Sequence, residues 1–507
     1  MSSQDVSQRG SLNTDNKLET PPNGIDCRDP FQVFLDETEM PYNLPSIRKW
    51  IAVVVISSAA LCVTCASSMA GFTEEGVARE FHVSKEVAIL SISVFIGGLG
   101  LGPLIVGPLS EVYGRNAVYR ISYALFFALN FPVAFAPDIG AMRFLVSKSV
   151  MALTHLLAVY LIFRFITGFC GSAFLSVAGG SVSDLFTDKN VSTPMALYTI
   201  SPFIGPVVGP LLSGFINQNL DWRWTYYVLI MWIFVELLAL FTLVPETYVP
   251  LLLTKKSRRL RRTTGDARYW CPMEREQKNL VTAIVISCYR PFELLLFDRM
   301  AFLLDLWSSM VLGILYLTFQ AFPIIFMDVH GFNTQMTGMS FLGIGLGMLL
   351  AISTQPYWNS MYKRVSLQNN GKVPPETRLV MGQIGGVLVP FGLFWLAFTT
   401  YKGVPWIIPI IASIPFGSGI YFVFTSTFTY LVTAYRPIAA SAMASNSAMR
   451  SCLAAAFPLF AGQMYHRLGT VGATALLAGL MTILAPLPFV FRRIGARLRQ
   501  KSRFAQH

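Results

Sequence analysis

Twelve apolar runs, each close to the length of a membrane crossing, follow one another along the chain: 50–71, 88–110, 117–136, 161–182, 196–217, 224–244, 300–324, 337–356, 379–399, 405–429, 439–463 and 470–491. A helix needs about 20 mostly apolar residues to cross the hydrocarbon core of a bilayer. The pattern therefore predicts an all-α membrane protein with twelve transmembrane helices. The longest polar break, 245–299, divides the runs six and six. We expect a disordered cytoplasmic tail over 1–48, a six-helix bundle over 49–244 and a cytoplasmic central loop over 245–299. A second six-helix bundle over 300–491 and a basic cytoplasmic tail over 492–507 complete the chain. Two equal sets of helices are the pattern of internally repeated carriers.

Two further stretches test that pattern. Asn279 to Phe297 is apolar enough to imitate another crossing, but Arg290, Pro291 and Glu293 interrupt it. A helix lying in the inner-leaflet interface fits it better. Arg143 to Tyr160 is also mostly apolar and runs straight into the fourth crossing. Counting it as a crossing would invert every later loop, against the charge distribution; it extends the fourth helix or packs at the outer surface.

Composition agrees with the hydropathy pattern. The chain is 53% hydrophobic and 13% charged, with no room for a large water-soluble domain. Its formal charge is +12, yet the basic residues are not spread as a nucleic-acid surface would require. Lys255, Lys256, Arg258, Arg259, Arg261 and Arg262 cluster between the sixth and seventh crossings. Arg492, Arg493, Arg497, Arg499, Lys501 and Arg503 follow the twelfth. The positive-inside rule places both clusters in the cytoplasm, and an even number of crossings puts both termini there. Attraction to anionic lipid is a secondary role for the same charges. The first 48 residues hold no charged-then-apolar cleavable signal, so the first crossing is expected to act as signal anchor. Seven cysteines form no disulfide framework, and Cys62-x-x-Cys65 lies inside a crossing with no second pair to make a metal or redox site. The sequon Asn190-Val191-Ser192 falls on the cytosolic side, where it is unused.

Within the fifth crossing, Gly205-Pro206-Val207-Val208-Gly209-Pro210 repeats glycine and proline at a spacing of four. Glycine costs about 1 kcal/mol and proline about 3 relative to alanine inside a helix, so the stripe trades helix stability for close approach. Its plain reading is a small-xxx-small contact between helices; its functional reading is a bent, closely packed hinge. Arg164 lies among Leu161, Ile162, Phe163 and Phe165, at a depth where a charge costs at least a few kcal/mol. Such a residue is satisfied by carbonyls or an ion pair, or it contacts substrate and coupling ions. Arg450, one turn after Asn446, raises the same question in the eleventh crossing. The intramembrane acids are Glu236 and Asp305, the two carboxylates a proton-driven cycle would call on. Tyr316, Gln320, Tyr421 and Asn446 can line a cavity or simply join helices. At the turn after the second crossing, Gly107, Glu111, Gly114 and Arg115 can form a gate latch. There an acid caps a facing helix and the arginine seeks a carboxylate such as Asp184.

These motifs together resemble the major facilitator superfamily. Gly107–Arg115 resembles its loop signature, Leu161-x-x-Arg164-x-x-x-Gly168 its fourth-helix motif, and Gly205–Pro210 the fifth-helix antiporter motif of exporters. Trp222-Arg223-Trp224, Val244-Pro245-Glu246-Thr247-Tyr248, Arg290-Pro291-Phe292, Ala321-Phe322-Pro323 and Phe457-Pro458-Leu459-Phe460 narrow the resemblance to the twelve-spanner drug:proton antiporters of fungi. The loop departs from its signature at Val112 and Asn116, where basic residues are usual, leaving Glu111 and Arg115 to make the latch.

The resemblance implies a monomeric carrier in the plasma membrane, with the vacuolar membrane as the alternative. It implies export of small amphipathic or cationic compounds by alternating access, driven by the proton gradient with no cofactor and no metal. Its partners would be a small-molecule substrate, protons and membrane lipid, with no nucleic acid. Arg164, Glu236 and Asp305 would couple protons, and Tyr316, Gln320, Tyr421, Asn446 and Arg450 would line the substrate cavity. Gly107, Glu111, Gly114, Arg115 and Asp184 would gate the cytoplasmic side, and Gly205, Pro206, Gly209 and Pro210 would form the hinge. Alternatives are a proton-coupled nutrient importer of the same fold and a non-transporting membrane sensor. No P-loop supports an ATP-driven pump, and no clustered His, Ser or carboxylate set supports an enzyme.

The family passes quickly from the third crossing into the arginine helix, whereas Arg143–Tyr160 adds about eighteen residues. We expect a retained intron or a misdrawn gene boundary. Sequencing the spliced transcript should show it without these codons, and a transcript that keeps them makes the segment a true extension.

Overall fold

The computed structural model describes residues 29, 31–135, 150–186, 190, 192–275, 280–369 and 373–504. The expectations for residues 1–28, for 143–149 and for Val191 of the sequon lie outside that set. The described chain is helical throughout, apart from one isolated bridge between Gln32 and Trp270. The first six crossings are α1 (Ser46–Ser68), α2 (Lys85–Tyr113), α3 (Arg115–Ala134), α4 (Val150–Gly171), α5 (Ser192–Asn219) and α6 (Arg223–Leu243). Then come α7 (Arg299–Phe322), α8 (Leu342–Ser353, flanked by Thr334–Ser340 and Gln355–Gln368), α9 (Leu379–Ala397) and α10 (Ile407–Ala434).

Eleven helical runs among the described residues are long and apolar enough to cross a membrane, and the last holds 62 residues, Ala439–Gln500. At 1.5 Å per residue that run would be about 93 Å long, roughly three hydrocarbon cores. It folds back instead. Gly469 takes φ 72 and ψ 170, a backbone open to glycine and closed to most residues. Across that turn the Tyr465 and Thr474 hydroxyls share a hydrogen bond of 2.9 Å, a pairing nine positions apart that no straight helix allows. The two legs, α11 (439–468) and α12 (470–484), make the eleventh run into two crossings. A basic helix, Leu487–Lys501, follows them.

The fourth crossing begins earlier than the hydropathy pattern places it. Residues 150–160 form the first turns of α4, and Tyr160 is fully buried with its hydroxyl 2.8 Å from that of Tyr226. Leu280–Phe297 is not among the eleven crossing runs. It buries Leu294 against the helices and exposes Val285, Tyr289, Leu296 and Phe297 broadly, as an interfacial helix does.

Backbones approach closely where glycine permits it, and the two sets of six helices use the same device. A Cβ on Gly98 would lie 2.1 Å from the Phe165 carbonyl oxygen, and one on Gly168 would lie 2.1 Å from that of Phe95, joining α2 to α4. Gly347 and Gly417 join α8 to α10 in the same way, each 2.1 Å from a facing carbonyl oxygen. Without a hydrophobic drive between helices in lipid, such contact is what holds a bundle together. One apolar core runs through α1–α6, and a second through α7–α12. Ala70, Ile92, Ile96, Phe203 and Val207 of the first set join the second core.

Four hydrogen bonds join the two halves among the described residues. They pair Ser67 with Tyr316 (2.8 Å), the Ser93 hydroxyl with the Ala455 carbonyl (2.6 Å), Gln320 with Glu74, and the Thr334 N–H with Gln218 (3.0 Å). All lie midway along the helices or at the end opposite the basic segments 249–275 and 487–504. The halves converge at that opposite end.

At the basic end a small clasp covers the connector. Val33 N–H donates to the Trp270 carbonyl (3.0 Å), and Lys256 on the helix Val249–Thr264 pairs with Asp36 (2.8 Å) and Glu39 (2.6 Å). Gly98→Leu should lower the thermal midpoint of the detergent-purified protein, because overpacking a tight contact costs about 1–3 kcal/mol. Gly479→Ala, into open space, should leave the midpoint unchanged.

Candidate functional site

Arg164 projects from α4 into the seam between α1 and α2 and is fully buried. Its Nε donates to the Ser91 carbonyl (3.3 Å), and both terminal nitrogens donate to the Ala66 carbonyl (3.3 Å each). Ala66 lies in the last turn of α1, where carbonyls lack intrahelical donors and the helix dipole attracts a cation. The guanidinium also lies 4.5 Å from the centre of the Phe95 ring and 5.7 Å from that of Tyr226, a further attraction in a dry site.

Arg450, on α11, is partly exposed and sits over the rings of Phe428 (4.9 Å) and Phe424 (5.4 Å). Phe203 of α5 stacks on Phe424 at 4.5 Å, so this cluster spans the two halves. One turn away Asn446 donates to Asp305 (2.9 Å) and to Ser308 (2.8 Å), and Ser445 donates to the other Asp305 oxygen (2.9 Å). Asp305 is fully buried between α7 and α11. Asp305, Tyr316 and Tyr198 are the electrostatic neighbours of Arg450.

The structure thus brings together Asp305, Asn446, Arg450 and Tyr316. It does not bring the remaining candidates to them. Tyr421 bonds to Gln355 (3.0 Å) and packs with Trp358 and Phe422 inside the second half. Glu236 accepts from Ser58 and from Trp232 (3.4 Å), between α6 and α1. Gln320 lies at the closed end, where it donates to Glu74.

At the basic end of the first half, Arg115 pairs with Asp184 at 2.6 Å. The acid that caps the facing helix is Glu246 and not Glu111, which is exposed. Glu246 accepts from the N–H groups of Arg115 (3.1 Å), Asn116 (3.2 Å), Thr247 (3.0 Å) and Tyr248 (3.0 Å). Gly114, at φ 92, is the tight point: a Cβ there would lie 2.7 Å from a Glu246 carboxylate oxygen. Gly107 faces open space.

The Gly-Pro stripe divides between two tasks. Gly205 and Gly209 face α1 of their own half, where an added Cβ would lie 1.9 Å from the Thr64 and Ser68 hydroxyls respectively. Beyond Pro206, the Pro210 carbonyl oxygen and Gly214 meet Gly338 of the second half, 2.6 Å from its Cβ position in the case of Pro210. Proline at 202 removes the donor to the Tyr198 carbonyl, and the Ser201 hydroxyl replaces it at 2.9 Å.

Two residues of the site were given no role from the sequence. Glu246 was read only as part of the Val244–Tyr248 motif, an acid directly after the sixth crossing. Glu74 carried no signal, because Thr73-Glu74-Glu75 reads as an ordinary solvated helix start, and α7 delivers Gln320 from far along the chain.

Helices in two cored halves, joined at one end and lined at mid-depth by buried charge, define a multi-pass membrane carrier. Residues 56–457 match the Major Facilitator Superfamily, and the chain belongs to that family of transporters. Efflux pump atB of Aspergillus terreus is 42% identical over 477 residues, covering 93% of this chain and 88% of that protein. The probable drug/proton antiporter YHK8 of Saccharomyces cerevisiae is 39% identical over 472 residues, with 93% and 88% covered. Among solved structures, the xylose transporter XylE from E. coli in a partially occluded inward-open conformation shares the fold, with a TM-score of 0.61 at 16% identity. That likeness covers 88% of this chain and 99% of XylE.

Glu74 lies just beyond α1, and burial raises its pKa to about 8, opposed by Lys85 and the Gln320 hydrogen bond and aided by Glu75. The closed arrangement therefore binds the proton more tightly than an opened, solvated one. Its contribution is complete below the ordinary value of 4.5 and is lost as pH rises through about 8. Spin labels at positions 79 and 402, in a background without native cysteines, should report separation of this end at alkaline pH. Glu74→Gln should remove that pH dependence.

Proposed function

We propose that this chain is a proton-coupled exporter of small amphipathic or cationic compounds in the fungal plasma membrane, with both termini in the cytoplasm. The observation that carries proton coupling is Asp305, a fully buried carboxylate held by Ser445 and Asn446 beside Arg450. Ionisable groups at such depth are expensive, and a carboxylate that gains and loses a proton there is a natural relay. The names of the relatives, an efflux pump and a drug/proton antiporter, support the outward direction.

With the basic end in the cytoplasm, the Ser67–Tyr316 and Glu74–Gln320 contacts seal the outer side. Exposed Glu111 is then free to meet the second half when the inner side closes, while Arg115, Asp184 and Glu246 keep the α2–α3 turn rigid beneath it. Arg164, by holding the end of α1 to α4 and α2, transmits switching through the first half.

A deletion strain challenged with toxins, azoles and polyamines, and complemented with wild type or variants, tests this reading. Arg164→Ala should reduce efflux at least about tenfold, the effect of about 1.4 kcal/mol, with unchanged protein in the membrane. Asp305→Asn should leave exchange of cargo but abolish its response to an imposed pH gradient. Complementation by Arg164→Ala equal to wild type would sink its role in switching. Net uptake of cargo down the proton gradient would favour the importer.

A further inference from the structure

Between the two halves, the Arg450 guanidinium is left without a hydrogen-bond partner among the described residues. Arg450 keeps its proton at any ordinary pH and offers five donors in a rigid planar fork. Arg164 spends its donors on the Ser91 and Ala66 carbonyls. Arg450 has no such partners: its buried Nε is unpaired, and no hydrogen bond or ion pair reaches its guanidinium among the described residues. Phe424 and Phe428 lie against the guanidinium and satisfy its charge only in part. Stacking of that kind leaves the N–H groups at the edge of the plane free for an acceptor.

Asp305 does not occupy the Arg450 fork. One of its oxygens is taken by Ser445 and the other by Asn446, and it has no exposed surface, whereas Arg450 is partly exposed. The surrounding walls are flat and apolar. Phe203 and Phe424 stack at 4.5 Å, and the hydroxyls of Tyr198 and Tyr316 are already bonded, to the Phe174 carbonyl (3.1 Å) and to Ser67 (2.8 Å). Phe203 and Phe424 are buried against each other, and Phe428 is the ring beside Arg450 that keeps some exposure; the remaining need at the Arg450 fork is for paired oxygens carrying negative charge.

We propose that the central site takes aromatic organic acids, with the Arg450 guanidinium gripping the carboxylate or phenolate and the partly exposed Phe428 beside it flanking the ring. The proposal rests on the exporter reading and narrows its cargo from amphipathic or cationic compounds to amphipathic anions. Lysine in place of Arg450 keeps the charge but not the fork. A permanently cationic aromatic of equal size meets the same walls and the wrong charge.

Fluorescein and tetramethylrhodamine methyl ester share a xanthene ring system and carry opposite charges at neutral pH. Their binding to the full-length protein in detergent can be followed by fluorescence anisotropy, apart from any transport. Wild type should bind fluorescein at least about tenfold more tightly than the rhodamine ester, as expected for one desolvated charge-assisted pair. Arg450→Gln should lose that preference, and Arg450→Lys should recover part of it, with thermal midpoints recorded for each variant. Should Arg450→Gln fail to fold, the Arg-over-Lys difference for fluorescein, absent for the rhodamine ester, decides the matter. Tighter binding of the rhodamine ester by wild type, no binding of fluorescein, or fluorescein binding indifferent to residue 450 would each overturn the proposal. Efflux of both dyes from proteoliposomes under a pH gradient separates the two readings. Fluorescein binding that needs Arg450, without gradient-driven export, leaves the anion site standing and removes the exporter.

Discussion

A guanidinium in hydrocarbon cannot shed its proton, so the protein must supply what water would have supplied. The contact of Arg164 with the Ala66 carbonyl meets that demand, and the arrangement of the first half follows from it. For the side chain to reach the last turn of α1 and the Ser91 carbonyl of α2, three helices must lie within a few ångströms of one another. Glycine at 98 and 168 makes that approach possible, since any larger residue would strike a facing carbonyl oxygen. Charge and close packing are therefore one constraint, each pointless without the other.

The second half meets the same demand differently. Its arginine, at 450, is left with aromatic faces and an incomplete set of acceptors, while its acid, Asp305, is fully bonded. The glycine contacts of α8 with α10 repeat those of α2 with α4, so the two halves share a scaffold and differ in how completely their charges are satisfied. The asymmetry concentrates chemical need at the centre, between the two halves.

Much of this was legible in the chain. Apolar runs of membrane length depend on local composition alone, and they placed the crossings well, with one exception. The helix of the fourth crossing begins at Val150, and Tyr160 on it finds buried partners in Tyr226 and Trp222, which hydropathy does not record. Arg164, Asp305, Asn446 and Arg450 stood out because a polar residue in an apolar run is conspicuous. Their grouping was only partly legible, since Tyr421 and Glu236 stand out equally and point elsewhere. Glu74 lies in a polar segment, where an acid attracts no notice, and Glu246 stood only within a motif; each owes its role to a helix delivered from a distant part of the chain. The Gly205–Pro210 stripe was recognised as a packing surface, but spacing alone could not say that its glycines serve one half and Pro210 the other.

The turn at Gly469 joins α11 to α12 through a single residue in an unusual backbone conformation. A connection that short has no slack. Any tilt of α11, the helix that carries Ser445, Asn446 and Arg450, must drag α12 with it, and the Tyr465–Thr474 hydrogen bond stiffens the elbow further. Arg450 is thus mounted on a bracket and not on a free rod. Force applied at residue 450 is delivered to the outer wall of the second half, which must turn as one piece.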